Sequence, residues 1–319
     1  MKLYKLIRKP PFFLQAKHYI RKDESPMTSA PNARRAVIIP TLLIQYGSLR
    51  DKFKSLPLVG KAFKRSFIEL YKSASQLKQN PHLGKTQIDP KTLLELEAYA
   101  RELGISKIGY TKVNRDFIFK GFEILYPNAM VLGMEMDKDK MKTNPSDAST
   151  TEIWKAYSNL GIAVNKLAKW LRDKGYNCHP SPAIGGDVMI TPVAQDAHLG
   201  YVGKNGLLIT EEFGPSLRLA AVFCDIENLP LTEPEENPHK WIREFCDECN
   251  NCVHKCPGDA IFEETKTLED GYPQFIDREK CAPHFSKNCS QCISSCPFIH
   301  GHYNKIKETF ERHHETESA

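Results

Sequence analysis

The feature that most limits how this chain can fold is the crowding of its cysteines near the C-terminus. Eight of the ten fall within 51 residues. They form two runs, Cys246-x2-Cys249-x2-Cys252-x3-Cys256-Pro257 and Cys281-x7-Cys289-x2-Cys292-x3-Cys296-Pro297. Such tight spacing favours metal ligands over disulfides, because a chain of 319 residues buries enough core to need no covalent staples. The sequence shows no signal peptide, so we expect a reducing, cytoplasmic location.

The gaps inside each run indicate iron–sulfur clusters. An x2-x2-x3 run closed by a Cys-Pro step is the spacing of bacterial two-cluster ferredoxins, in which the fourth cysteine ligates the other cluster. Applied here, that rule predicts two [4Fe–4S] clusters, one held by Cys246, Cys249, Cys252 and Cys296 and the other by Cys256, Cys281, Cys289 and Cys292. Two zinc sites or a single cluster are the alternatives, but zinc ligands usually come as separated x2 pairs.

Charge is distributed unevenly along the chain. The formal net charge is +5, yet residues 1–85 hold 18 Lys and Arg against four acids. This imbalance predicts an anionic partner for the basic extension, namely a membrane surface, an acidic protein or tRNA phosphates, and a membrane contact would make the protein membrane-peripheral. An ordinary solvated basic arm is the alternative. The longest apolar stretch there, at 36–44, is interrupted by Pro40 and is too short to span a bilayer.

The middle of the chain alternates helical and extended patterns. Asp89 and Pro90 provide an N-cap and a first-turn proline for a helix that ends at Gly104. Further helices are predicted over 63–77 and 150–174, and strands over 106–113, 129–136, 207–210 and 217–224.

These patterns predict an α+β chain in four parts. They are a basic N-terminal extension at 1–85, an α/β domain at 88–230, a cysteine module at 240–300 and a polar C-terminal tail at 301–319. The acidic segment 233–239, which holds two prolines, marks the boundary before the cysteine module.

A long contiguous motif relates the α/β domain to a known family. Residues 199–225, LGYVGKNGLLITEEFGPSLRLAAVFCD, closely resemble the segment that precedes the clusters in corrinoid-dependent reductive dehalogenases. The GYVGKN part is also similar to epoxyqueuosine reductases, the related corrinoid enzymes of tRNA modification. The resemblance covers roughly residues 125–300. It implies a nitroreductase-like α/β domain that holds cobalamin, followed by a two-cluster bacterial ferredoxin-like module that donates electrons to cobalt.

Within this motif the resemblance implies a set of cofactor-binding residues, Gly200, Gly203, Lys204, Asn205 and Gly206. Glycines lack side chains, so their backbone could approach a flat macrocycle closely. The alternative is that they are turn glycines between a helix and a strand.

Three residues are candidates for the chemistry. Tyr157 lies in a context similar to that of the proton-donating tyrosine of reductive dehalogenases, and a phenol can act as a general acid. Arg218 would orient this tyrosine, since a nearby cation favours the phenolate. Epoxyqueuosine reductases use an aspartate near the position of Asp187 as general acid, although residues 184–187 match that motif poorly. The alternatives are a core aromatic, a surface arginine and a helix N-cap.

The sequence therefore predicts an iron–sulfur, corrinoid-dependent oxidoreductase. Electrons would pass from a ferredoxin or flavodoxin through two [4Fe–4S] clusters to cobalamin, and then to a small organic substrate such as an organohalide. Two other functions stay open. One is an epoxyqueuosine-reductase-like enzyme acting on tRNA, and the other is a non-catalytic electron carrier whose α/β domain docks partners.

Overall fold

A computed structural model describes residues 15–36, 49–267, 273–285 and 287–317, without the side chains of residues 49–55 and 316–317. The helices are α1 Leu49–Ser75, α2 Pro90–Glu102, α3 Lys138–Lys142, α4 Asp147–Asp173, α5 Ile190–Asp196, α6 Trp241–Cys249, α7 Asn251–His254, α8 Arg278–Phe285, α9 Gln291–Ser294, α10 Pro297–His300 and α11 Tyr303–Glu317. The strands are β1 Met27–Thr28, β2 Lys107–Lys112, β3 Glu123–Ile124, β4 Asn128–Glu135, β5 Cys178–Ser181, β6 Tyr201–Val202, β7 Leu208–Ile209, β8 Leu217–Cys224, β9 Ile261–Thr267 and β10 Pro273–Ile276. This mixture of helices and strands agrees with the predicted α+β class.

A four-stranded antiparallel sheet in the order β2-β4-β8-β5 forms the centre of the fold. The predicted strands at 106–113, 129–136 and 217–224 are confirmed as β2, β4 and β8. Side chains alternate between the two faces of a strand. Met130 and Leu132 therefore enter one core, which α4 covers, whereas Ala129 and Val131 enter a second core on the opposite face.

Helix α4 crosses one face of the sheet. It begins at a capping box, in which Ser146 Oγ accepts the Ser149 backbone N–H at 3.1 Å. Its apolar side is fully buried at Leu160, Leu167 and Leu171. The helix predicted at 150–174 is thereby confirmed, and its register sets which residues face the sheet.

The N-terminal extension differs from the expectation of a separate arm. The helix predicted at 63–77 is the longer α1, and it packs on α4 through buried polar contacts. Asn165 Nδ2 donates to the Glu69 carboxylate at 3.0 Å, and Ser73 Oγ donates to Asn165 Oδ1 at 2.9 Å. Asn80, within the predicted N-terminal extension, is buried and its side-chain Oδ1 accepts the Cys178 N–H at 3.2 Å. Residues 49–80 are therefore part of the α/β domain.

Residues 1–14 and 37–48, which include several of the early prolines and nearly all of the apolar stretch at 36–44, lie outside the described residues. In the part of the chain that the structure describes, each helix is either too short or too polar to cross a membrane.

The cysteine module packs around an aromatic cluster. Trp241 and Phe245 on α6 pack against Phe298, Tyr303 and Phe310. The terminal segment expected to be a polar tail is thus helix α11, which buries Tyr303 and Phe310 on one side. The spacing of these two aromatics, seven residues, places them two turns apart on one helical face.

Candidate functional site

Four cysteine thiols from both runs are neighbours at the start of the module. The thiol of Cys296 interacts electrostatically with those of Cys246, Cys252 and Cys249. Burial raises the pKa of the Cys246 thiol to about 12 and that of Cys252 to about 11. Thiolates are stabilised in such a site by a bound cation, because metal coordination deprotonates a thiol even where burial disfavours its charge.

The other four thiols make a second group. Cys281 interacts with Cys256 and Cys289, and Cys292 interacts with all three of these and also with Cys252 of the first group. Burial raises the pKa of Cys292 to about 12 and that of Cys281 to about 11. Three thiols from one run and one from the other is the arrangement that the exchange rule predicts, and the ligands of each cluster stay a prediction. No three Cys, His, Asp or Glu side chains of the described residues are arranged around a single metal position.

The turn between β6 and β7 contacts the first cysteine run through Lys204. This side chain is only 3% exposed, and its ammonium donates to Asn250 Oδ1 at 2.7 Å and pairs with Asp247 Oδ1 at 3.3 Å. Asp247 lies between Cys246 and Cys249, and Asn250 follows Cys249. The predicted cofactor lysine is thus held by the cysteine module.

The other residues of the turn are also engaged by protein atoms. Asn205 Nδ2 donates to the Cys292 carbonyl at 3.2 Å, and its Oδ1 accepts the Leu207 N–H. A Cβ atom at Gly200 or Gly203 would overlap Ile209, and Gly206 has a positive φ of 72°. The glycines are accordingly required by the hairpin itself, and their contact with a corrinoid stays a prediction.

Tyr157 and Arg218 contact each other on the face of the sheet that α4 covers. The guanidinium carbon of Arg218, on β8, lies 4.8 Å from the centre of the Tyr157 ring, on α4. Arg218 shares a strand face with Ala220 and Val222, which belong to the core beneath α4. The two residues meet because the helix crosses this face, and both side chains are half-buried.

Tyr157 also packs against the cysteine module. It contacts an apolar cluster that includes Met136, Ile153 and Ile293, and Cys292 and Leu207 lie against the same cluster. Cys292, Leu207 and Tyr157 are therefore close together, with apolar side chains between them.

Asp187 lies on the other face of the sheet. Its carboxylate accepts a hydrogen bond from the Ser181 hydroxyl at 3.1 Å, and His179 Nε2 lies 3.2 Å from the same carboxylate. His179 Nδ1 accepts the Leu125 N–H, so the proton of the neutral ring is on Nε2. His179 pairs in register with Phe223, a residue of the second core. Asp187 is therefore separated from Tyr157 by the sheet, and it does not cap α5, whose N-cap is Met189.

Two functional contacts were missed by sequence reasoning. One is the contact of His179 with Asp187: His179 and its neighbour Cys178 lie on opposite faces of the sheet, with Cys178 in the core beneath α4 and His179 against Asp187. The pairing of Lys204 with Asp247 was missed as well. Its only sequence signal was an acidic residue inside the first cysteine run.

Known proteins similar to this chain include reductases of two kinds. No family model matches the chain. A tetrachloroethene reductive dehalogenase of Desulfitobacterium hafniense is 34% identical over 222 residues, which are 64% of this chain and 38% of the relative. An epoxyqueuosine reductase of Gloeobacter violaceus is 27% identical over 160 residues, 44% of this chain and 45% of the relative. The matched region is thus less than half of either relative.

A solved structure shares the fold over nearly the whole chain. It is a reductive dehalogenase whose structure is described as suggesting a mechanism for B12-dependent dehalogenation. The TM-score is 0.66 at 17% identity, covering 96% of this chain and 48% of that chain. The resemblance predicted from residues 199–225 is confirmed, and the oxidoreductase class of the relatives agrees with the predicted class.

Proposed function

We propose that this chain, a relative of the reductive dehalogenases and epoxyqueuosine reductases, is a corrinoid-dependent reductase that removes halide from a small organic substrate. The observation that carries the proposal is the position of the Tyr157–Arg218 pair. It lies against the same apolar cluster as Cys292, so a proton donor and an electron-transfer ligand are close to one another. Because the match covers only 38% of the tetrachloroethene reductive dehalogenase and 45% of the Gloeobacter violaceus epoxyqueuosine reductase, the activity of the whole protein is part of the proposal.

The eight cysteines would supply the electrons. Their sorting into two groups of four supports two [4Fe–4S] clusters with an exchanged fourth ligand, as in a bacterial ferredoxin-like module. The antiparallel sheet covered by α4 supports the nitroreductase-like assignment of the α/β domain. A low-potential one-electron donor, such as a ferredoxin or flavodoxin, would deliver electrons one at a time.

The residues around Tyr157 fit a bound corrinoid better than the turn 203–206 does. Arg218 Nε is buried and has no hydrogen-bond partner within the described residues, so a donor is available to a bound group. The polar side chains of the turn are already engaged by the cysteine module. When bound, cobalamin would supply the low-potential cobalt at which the carbon–halogen bond is reduced.

The residues of the chain would then deliver the proton. Replacing halide by hydrogen consumes two electrons and one proton, and it releases a halide ion. The Tyr157 hydroxyl would donate that proton to carbon as general acid. Arg218 would hold the ring and stabilise the phenolate left behind, since its cation lies over the face of the ring. Arg218 is thus a positioning residue for the tyrosine.

The epoxyqueuosine-reductase alternative is supported by the matches to those enzymes and by the basic residues of the N-terminal segment, which could contact tRNA phosphates or an anionic membrane surface. It is weakened by Asp187, since this aspartate is buried on His179 and Ser181 and faces away from Tyr157. The dehalogenase proposal is therefore the stronger one.

Metal analysis combined with turnover tests the proposal. The full chain would be reconstituted anaerobically with iron, sulfide and cobalamin, and then assayed with reduced methyl viologen and tetrachloroethene. We expect about eight iron atoms per chain, four in each cluster, together with bound cobalt and release of chloride. Iron without cobalt would favour the electron carrier. Reduction of epoxyqueuosine in a tRNA stem-loop without chloride release would favour the tRNA enzyme.

A further inference from the structure

Lys204 is a buried cation beside the first cysteine run, and its ammonium makes three polar contacts with that run. The ammonium contacts Asn250 Oδ1 at 2.7 Å, Asp247 Oδ1 at 3.3 Å and the Asp247 carbonyl at 3.3 Å. Only 3% of the side chain is exposed. Removing an ammonium from water costs free energy, so a buried lysine is usually paired with an opposite charge or interacts with a functional group.

The contacts of Lys204 are with the peptide that carries three of the cysteines. Asn250 joins α6 to α7 with a positive φ of 49°, and it lies between Cys249 and Cys252. The backbone N–H of Lys204 acts to lower the pKa of the Cys246 thiol, against the larger effect of burial. The positive charge of Lys204 acts to lower the pKa of the Cys252 thiol, against the larger effect of burial. The ammonium therefore acts on the Cys252 thiol of the first group.

Asp247, the counterion of Lys204, acts in the opposite sense, because its negative charge raises the pKa of the Cys246 thiol. Asp247 is 47% exposed and also pairs with Arg243 Nε at 3.1 Å. A half-exposed carboxylate is screened by water, whereas the buried ammonium is screened much less. The carboxylate of Asp247 therefore offsets the charge of Lys204 only in part, because the buried ammonium is the less screened of the two charges.

We propose that the ammonium of Lys204 raises the reduction potential of the cluster held by Cys246, Cys249, Cys252 and Cys296, and this inference rests on the two-cluster assignment of the proposed function. A one-electron donor adds one negative charge to the cluster without a proton. A fixed cation nearby stabilises that reduced form more than the oxidised form. With Lys204 present, the first cluster is therefore a better electron acceptor than it would be without this cation.

The same turn also contacts the second group. Asn205, the next residue, donates from Nδ2 to the Cys292 carbonyl at 3.2 Å. Its amide is neutral, whereas Lys204 brings a full charge to the first group. The turn therefore places a positive charge beside the first thiol group and a neutral amide beside the second. The effect of Lys204 on the reduction potential should be confined to the first cluster.

An anaerobic redox titration with dithionite, followed by electron paramagnetic resonance, tests the inference on the reconstituted full chain. In Lys204→Met we expect the ratio of reduced to oxidised form of one cluster, at the wild-type midpoint, to fall at least tenfold, which is about 59 mV for a one-electron couple. Lys204→Arg should stay within threefold of wild type. Asp247→Asn should move the ratio in the opposite direction, since it removes the screening anion.

Lys255→Met is the matched control, because it removes the same charge from an exposed lysine that adjoins a cysteine, Cys256. If Lys204→Met binds both clusters and its midpoints match those of Lys255→Met, the inference is overturned while the proposed function stands. If Lys204→Met does not take up iron, Asp247→Asn decides, and an unchanged or lower midpoint there overturns the inference. Failure of the wild-type chain to assemble clusters would overturn both.

Discussion

The Arg218 guanidinium carbon lies 4.8 Å from the centre of the Tyr157 ring, and this contact joins strand β8 to helix α4 at the edge of the cysteine module. A cation over an aromatic face is worth about 0.5–2 kcal/mol, depending on its exposure to water. The contact therefore holds the phenol in one orientation, which a proton donor requires.

Replacing Tyr157 by Phe should abolish proton delivery and preserve the fold. The ring and its contact with Arg218 remain, whereas the hydroxyl is lost, so chloride release should fall by about 10²–10⁴-fold. Thermal unfolding should shift little. Tyr99→Phe is the matched control, because Tyr99 is another half-buried tyrosine and stacks on Trp170 away from the site. Equal activity in both variants would remove Tyr157 from the chemistry.

The fourth ligand of each cluster can be identified by comparing cysteine variants. If Cys296 belongs with the first run, Cys296→Ser and Cys249→Ser should leave the same residual cluster. Their electron paramagnetic resonance spectra should superpose, with about four iron atoms per chain. Cys289→Ser should give the other spectrum. A Cys296→Ser spectrum that matches Cys289→Ser would show that each run holds its own cluster.

Local signals were sufficient to predict the sheet and its covering helix. The strand predicted at 217–224 is β8, because its apolar pattern, interrupted only by Arg218, reflects burial on both faces. The helix predicted at 150–174 is α4, since its amphipathic period and its terminal Gly175 are both local features. The meeting of Tyr157 with Arg218 was predicted from a family resemblance, and the structure brings the two together.

Long-range contacts account for what the sequence did not predict. The N-terminal helix docks on α4 through Asn165 and Glu69, which are 96 residues apart and carry no periodic signal of their pairing. The positions of Lys204 and Asn205 depend in the same way on two cysteine runs that fold onto the hairpin. Polar pairs of this kind appear in a sequence as isolated surface-type residues.

Asp187→Asn should reduce stability and leave dehalogenation within a few-fold of wild type. The carboxylate accepts from both His179 and Ser181 in a buried site, so the loss of one charged acceptor should cost about 1–3 kcal/mol in the free energy of unfolding. Urea unfolding and chloride release measure the two effects separately. Exposed Asp139→Asn is the control for stability. A drop in chloride release as large as that of Tyr157→Phe would place Asp187 in the chemistry and contradict this prediction.

Gly200→Ala should destabilise the chain whether or not a corrinoid is present. The new methyl group would overlap the Ile209 carbonyl oxygen, so the hairpin must move at a cost of about 1–3 kcal/mol. Gly60→Ala is the opposite case, because Gly60 lies inside α1 beside a flexible leucine side chain and should gain a few tenths to 1 kcal/mol. A Gly200→Ala variant that unfolds like wild type, but no longer retains cobalt, would assign the glycine to the cofactor.

Asp196 should make the chain less stable at neutral pH than a neutral residue would. Burial raises the pKa of its carboxyl to about 6, with a smaller contribution from Glu235. A folded-state pKa above the unfolded value gives stability that is fully present below the unfolded pKa and is lost as pH rises through 6. Asp196→Asn should therefore increase the free energy of unfolding at pH 7.5, by about 1 kcal/mol once solvent screening is allowed for.

This gain in Asp196→Asn should shrink as pH falls below 6, because the wild-type carboxyl then takes up its proton in the folded state. Urea unfolding at steps between pH 7.5 and pH 5 measures the trend. Asp116→Asn removes an exposed carboxylate and should show no such gain. The hydrogen bond from Thr232 to the Asp196 backbone carbonyl is retained in the variant, so the difference reports the side chain. A gain that stays constant across this range would mean that the Asp196 carboxyl does not titrate there.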